Sequence, residues 1–215
     1  MSTLLLRLAG PMQAWGTESQ FEIRKTNREP TKSGIIGLLA AAMGLRRDEP
    51  LDQLAQLHFG VRVDREGVLL RDFHMVHGEK SSYLTTRYYL SDAVFLVGVS
   101  SEDESFMQQL QDAVTHPVFP LFLGRRSCPP EGRVCLGLRD QPLEEALRAE
   151  PLLVQAGRDQ PDRVRIILDA PNEPTRMRDM PVSFHPHHRQ HTYRTAKEVW
   201  QEFVPCEHDP MQELR

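Results

Sequence analysis

Cysteine is scarce in this chain, and what there is does not pair. Cys128, Cys135 and Cys206 are odd in number and none sits in a CxxC arrangement, so neither a disulfide framework nor a zinc knuckle is indicated. No apolar run approaches the roughly 20 residues that a membrane helix needs. Met1-Ser-Thr runs straight into an apolar strand candidate with no basic leader, which predicts a cytoplasmic protein with no membrane contact. Aromatic residues make up 7%, which leaves Leu, Ile and Val to fill the cores. The glycine-rich spacing of a Walker motif is missing around Ser33, so no P-loop is expected there. The aromatic signatures of RNA-recognition modules are missing too, so base stacking on a sheet face has no support. Nor is there a general excess of positive charge, because the formal net charge is -4.

Charge is present in patches instead. From Met1 to Arg47 there are seven Lys/Arg against three Asp/Glu, and from Arg176 to Lys197 five against one. The last eighteen residues carry five acids and one base. Local basic surface on an acidic molecule suits a nucleic acid bound on one face, and suits an acidic protein partner equally.

At 215 residues the chain can bury one substantial core or two modest ones in close contact. The strongest local signal is Pro30-Thr-Lys-Ser-Gly-Ile-Ile-Gly-Leu-Leu-Ala-Ala-Ala-Met-Gly44. It predicts a buried, slim helix with Thr31 or Ser33 as N-cap and Gly44 just past its end. The free N–H groups of its first turn beside Lys32 are expected to make a place for a phosphate. Strands are expected at Thr3–Leu8, Phe59–Arg65, Val68–Met75 and Ala93–Val99, with the middle two joined as a hairpin through Glu66-Gly67. Further helices are expected at about Leu51–Leu57, Glu102–Thr115 and Leu143–Leu153.

This order gives an α+β chain with a ferredoxin-like (RRM-like) domain over residues 1–115, its final strand not located. Residues 116–215 are read as a smaller β-rich portion packed on it, with strand candidates at Val118–Leu123, Val134–Leu138, Val164–Leu168, Val182–Phe184 and His191–Thr195.

Enzyme chemistry finds little support. Pro186 and the strand character around His185, His187, His188 and His191 argue against a metal site, and no carboxylate completes one. Cys128 beside Arg125 and Arg126 has no particular His or acid placed to make it a nucleophile. Asp72 and His74 share one side of a strand, which ordinary hydrogen bonding explains. The arginines carry more. Arg125-Arg126 after Gly124 presents two guanidinium forks in a constrained loop, and Arg87 lies beside Tyr88 and Tyr89.

Four stretches together identify a family: Gly10-Pro-Met-Gln-Ala-Trp-Gly16, Pro30-Thr-Lys-Ser-Gly34, Arg71-Asp-Phe-His74 and Leu121-Phe-Leu-Gly-Arg-Arg-Ser-Cys-Pro129, with Tyr89-Leu-Ser-Asp-Ala93 as a further match. The chain resembles the Cas5 family of type I-E CRISPR Cascade complexes over almost its full length. The resemblance implies a ferredoxin-like domain with a projecting thumb, here within residues 73–88, and a smaller C-terminal portion. It implies a noncatalytic, cofactor-free subunit that caps the 5′ handle of CRISPR RNA and packs against the Cas7 backbone and the large Cas8e subunit. Target DNA and the nuclease Cas3 are then reached through the assembled particle. By the same resemblance, Met12, Gln13 and Trp15 lie beside the handle, Lys32, Ser33 and Gly34 form the helix entrance, Arg87 stands at the thumb base, and Arg125 with Arg126 is the arginine pair. Two other readings remain at this stage: a metal-independent endoribonuclease, and a structural subunit whose basic patches meet acidic protein surfaces.

Overall fold

In a computed structural model, residues 1–16, 22–78, 82–154 and 161–203 are described. The chain runs β1 (Ser2–Ala9), β2 (Met12–Gln13), β3 (Ile23–Arg24), α1 (Lys32–Ala42), α2 (Asp52–Ala55), β4 (His58–Arg65), β5 (Val68–His77), β6 (Ser82–Ser91) and β7 (Val94–Ser101). It continues through α3 (Glu104–Thr115), β8 (Cys135–Arg139), α4 (Leu143–Ala149), β9 (Arg163–Asp169), β10 (Thr175–Ser183) and β11 (Gln190–Glu202).

β1 shows why an unbroken apolar run makes a central strand. Its alternate side chains enter two different cores: Leu4, Leu6 and Leu8 pack with α1 and α3, while Leu5 packs with Leu143, Ala146 and Leu147 of α4. A sheet covered on both faces needs apolar residues at every position, not every second one. β7 repeats the pattern, with Phe95, Val97 and Val99 on one side and Leu96 on the other. These strands sit in a seven-stranded sheet of order β10-β11-β9-β4-β7-β1-β8, with every neighbour antiparallel. The four strands β4-β7-β1-β8, with α1 and α3 as crossovers, follow the ferredoxin plan.

The final strand of that plan is β8, which lies beyond residue 115. Strands from both sides of the 115/116 boundary therefore share one sheet, and β9, β10 and β11 extend it past β4.

α1 forms where expected. Thr31 is the N-cap, its hydroxyl accepting from the Gly34 N–H at 3.2 Å, and Gly44 adopts φ +79° after the last turn. Val118–Leu123 is not a strand. Pro117 and Pro120 remove ladder donors, and Val118 and Phe119 instead donate to the carbonyls of Ala42 and Ala41, closing the helix's C-terminal end. α4 stops at Ala149, two residues short of Pro151.

The hairpin expected through Glu66-Gly67 is a correction. β4 pairs with β7 and β9, whereas β5 pairs along its whole length with β6, from Val68↔Ser91 to His77↔Ser82. β4 is buried at six consecutive positions while β5 is exposed or half-buried throughout, so the two could not share one doubly covered sheet. The hairpin β5–β6 leaves the main sheet between β4 and β7, and β2 and β3 pair onto β6 to make a second, four-stranded sheet.

Candidate nucleic-acid interface

The foot of the β5–β6 hairpin meets the two loops singled out by sequence. Ala14 donates to Leu123 O at 3.1 Å, Leu123 donates to Cys128 O at 2.7 Å, and Cys128 donates to Arg125 O at 2.9 Å. The 123–128 segment is thus a tight loop stitched to the end of β2. Gly124 makes the closest approach, with φ +82°, and a Cβ added there would stand only 1.8 Å from Ala14 O.

This loop presents the arginine pair. Arg125 lies over the Tyr89 ring, its guanidinium carbon 4.6 Å from the centroid, and its Nη2 donates to Arg24 O at 3.0 Å. Arg24 on β3 is in register with Arg87 on β6, so three arginines from three elements gather here. Arg87 Nε and Arg125 Nη1 are both buried without a hydrogen-bond partner. Arg126 is exposed beside them, and Met12 is half-buried.

The other expected contacts turn inward. Gln13 is fully buried; its amide donates to Leu8 O and Ala93 O, and its oxygen accepts from Trp15 Nε1 at 3.1 Å. Trp15 is 1% exposed and packs on Gly34, where an added Cβ would stand 2.8 Å from the ring. Gly34 therefore serves close packing of α1 against the indole.

The helix entrance also differs from the phosphate site expected of it. The anions there belong to the protein. Asp179 accepts from the Lys32 N–H at 2.9 Å, and Lys32 Nζ lies 2.8 Å from Asp169 Oδ2 with its side chain only 6% exposed. Arg194 joins both carboxylates, at 2.7 Å to Asp179 and 2.8 Å to Asp169. Burial opposes the Arg194 charge, but the two aspartates outweigh it and hold the guanidinium further toward its protonated form. Lys32 and Ser33 are buried, so they position α1 instead of facing a ligand. Sequence reasoning missed Asp169, Asp179 and Arg194. The available signal was the lone Asp179 within an otherwise basic segment.

The remaining candidates resolve similarly. Burial pushes the Cys128 thiol up, against weaker pulls from Ser127 and Arg125, so it stays protonated near neutral pH. Asp72 and His74 pair with each other across one strand face. His185, His187 and His188 lie in the β10–β11 turn and His191 follows on β11, and no cluster of three or more metal-ligating side chains occurs among the described residues.

The ferredoxin strand order, interrupted by a hairpin with arginines at its foot, defines the class: an α+β protein with an inserted two-stranded arm. The model of the CRISPR-associated Cas5 family matches residues 3–197, and the chain belongs to that family. A relative from Escherichia coli strain K12, the CRISPR system Cascade subunit CasD, is 39% identical over 175 residues, covering 70% of this chain and 78% of its own. Among solved structures, a chain of a CRISPR RNA-guided surveillance complex matches with a TM-score of 0.81 at 35% identity, covering 99% of this chain and 97% of that one. A crystal structure of a Cas protein matches with a TM-score of 0.76 at 41% identity, covering 93% and 95%.

Proposed function

We propose that the chain is a noncatalytic subunit of a type I-E CRISPR Cascade complex that binds the 5′ handle of CRISPR RNA at the foot of the β5–β6 hairpin. The observation that carries this reading is the pair of unpartnered guanidinium donors, Arg87 Nε and Arg125 Nη1. A buried donor without an acceptor costs about 1–3 kcal/mol, and an RNA phosphate would supply two acceptors of the right charge and geometry. Arg126 adds an exposed guanidinium to the same loop. Gln13, Trp15, Lys32, Ser33 and Gly34 act from behind, fixing the loop and α1 against each other. The hairpin is the thumb in this reading, with residues 73–88 as its reaching part.

In this role the chain works in the cytoplasm beside the Cas7 backbone and the large Cas8e subunit. Target DNA and Cas3 are met through the assembled particle. Family membership and the Cascade relative support that setting. Among the described residues no helix is long and apolar enough to cross a membrane.

The side chains that carry this reading, Arg87, Arg125 and Arg126, are guanidiniums, which donate hydrogen bonds and accept none. The purified protein is therefore expected to leave repeat RNA intact, with or without divalent metal. Cuts at a defined repeat position that scale with this protein and vanish on a point change within it would overturn the noncatalytic reading.

The contact itself is tested by Arg125→Ala and Arg126→Ala, singly and together. The double variant is expected to bind handle RNA more weakly than either single one, by about 1–3 kcal/mol at low salt, with the difference shrinking as salt rises. Arg126→Ala is the cleaner single change, because Arg125 also holds Arg24 O and the Tyr89 face. Equal handle affinity in wild type and double variant at low salt would remove the pair from the RNA surface.

A further inference from the structure

The Asp72–His74 pair lies on the same face of the β5–β6 hairpin as the handle site. In the ladder Leu70 stands opposite Tyr89, Asp72 opposite Arg87 and His74 opposite Thr85. Alternate residues of a strand share one face, so Tyr89, Arg87, Asp72 and His74 project from one side of the hairpin. Side chains directly opposite in an antiparallel pair start about 4.5–5.5 Å apart at Cβ, which puts the Asp72 carboxylate within reach of the Arg87 guanidinium. Yet Arg87 Nε is buried with no partner, while Asp72 Oδ2 accepts from His74 Nε2 on its own strand.

Opposite charges directly across a ladder attract, so an aspartate facing an arginine would ordinarily take its Nε–H. His74 explains why this one does not. A carboxylate only accepts, so the proton at the contact sits on His74 Nε2, and the imidazole is the donor that Arg87 would otherwise be. His74 is itself fixed from across the hairpin. The hydroxyl of Thr85, a residue 4% exposed, donates to His74 O at 3.1 Å. The His74 and Asp72 side chains are 40% and 43% exposed, so packing does not lock either, and loss of one leaves the other free to turn. A pair this open adds little to stability, so the fold alone does not account for it.

We propose that His74 is a positioning residue: by holding Asp72 it keeps the Arg87 donor open for an RNA phosphate. This deepens the handle reading and rests on it. Without His74, the Asp72 carboxylate turns to Arg87 and competes with the phosphate for the same Nε–H, as an anion built into the protein.

The test is a double-mutant cycle on the full chain, read as handle-RNA affinity at low salt for wild type, His74→Ala, Asp72→Asn and the two together. His74→Gln and Arg87→Ala are measured alongside, and thermal transitions check that each variant is folded. His74→Ala is expected to bind about fivefold more weakly, the size of one partly exposed ion pair. In the Asp72→Asn background the same change should cost less than about twofold, because no carboxylate remains to compete. His74→Gln, whose amide still donates to Asp72, should stay within about twofold of wild type. In the RNA-free chain, the Arg87 Nε–H nuclear magnetic resonance signal should shift in His74→Ala and return in the double variant. An unmoved signal would show that Asp72 does not turn to Arg87, and would overturn the inference. So would an equal loss from His74→Ala in both backgrounds, or no loss, while Arg87→Ala still weakens binding; the handle reading would then stand. Full affinity in Arg87→Ala would overturn the Arg87 contact of the handle reading and this inference with it.

Discussion

Arg62→Ala is expected to destabilise the protein by about 3–5 kcal/mol, because it strands a buried charge. Arg62 is 0% exposed, and its Nε and Nη2 donate to the two oxygens of the equally buried Asp64 at 2.7 and 2.9 Å. Its Nη1 donates to Leu147 O, its Nη2 also donates to Pro151 O, and Nη1 reaches Glu150 O as well. One side chain on β4 therefore terminates α4 and turns the chain after it. Removing it leaves the Asp64 carboxylate and several carbonyls without donors. A loss of that size is a large part of the roughly 5–15 kcal/mol that holds a typical domain together. The check is a urea unfolding curve. A midpoint shift worth less than about 1 kcal/mol would show that water or a local shift satisfies those groups at little cost. The Arg62→Met/Asp64→Leu pair separates charge from packing. It should be less destabilised than Arg62→Ala, although Leu153 N–H loses its acceptor at Asp64.

Gly124→Ala is expected to act mainly on RNA binding, while costing less stability than Arg62→Ala. A φ of +82° is strained for alanine, at about 1–3 kcal/mol. The added Cβ would also stand 1.8 Å from Ala14 O, which is backbone and cannot swing aside. The 123–128 loop must therefore lift away from β2, carrying Arg125 off the Tyr89 face and away from Arg24. Handle-RNA affinity is expected to fall by about tenfold or more, the equivalent of one lost charge-assisted contact. The decisive comparison sets that loss beside the thermal transition. Full affinity in a folded variant would mean that the loop's placement on β2 does not govern RNA binding.

How much of this was legible depends on how far apart in sequence the partners lie. β1 was readable because burial on both faces leaves a mark within the strand itself. α1 was readable because its cap, its small residues and Gly44 are all local. The β5 pairing was not, since Glu66-Gly67 marks a sharp turn without saying which strand comes next to β5. Only the exposure of Val68, Leu69 and Leu70, a tertiary property, separates it from β4. The interface divides the same way. The arginine loop announced itself through adjacent residues, Gly124 to Ser127. Lys32 read as a free cation because its partners, Asp169 and the Asp179 that takes its N–H, lie 137 and 147 positions away. A helix entrance favours any anion, and the sequence around it cannot say whether the protein supplies its own. Gln13 and Trp15 likewise looked like contact groups until each was seen to satisfy the other in the core.

The most direct test of the account is to purify the assembled complex, crosslink it with ultraviolet light, and map both ends of every crosslink between this chain and the guide. The handle reading predicts crosslinks from the segments bearing Arg87 and Arg125–Arg126 to nucleotides at the 5′ end of the RNA, reduced in the Arg125→Ala/Arg126→Ala variant. Crosslinks confined to the 3′ end, or a 5′ end joined only to other subunits, would contradict it.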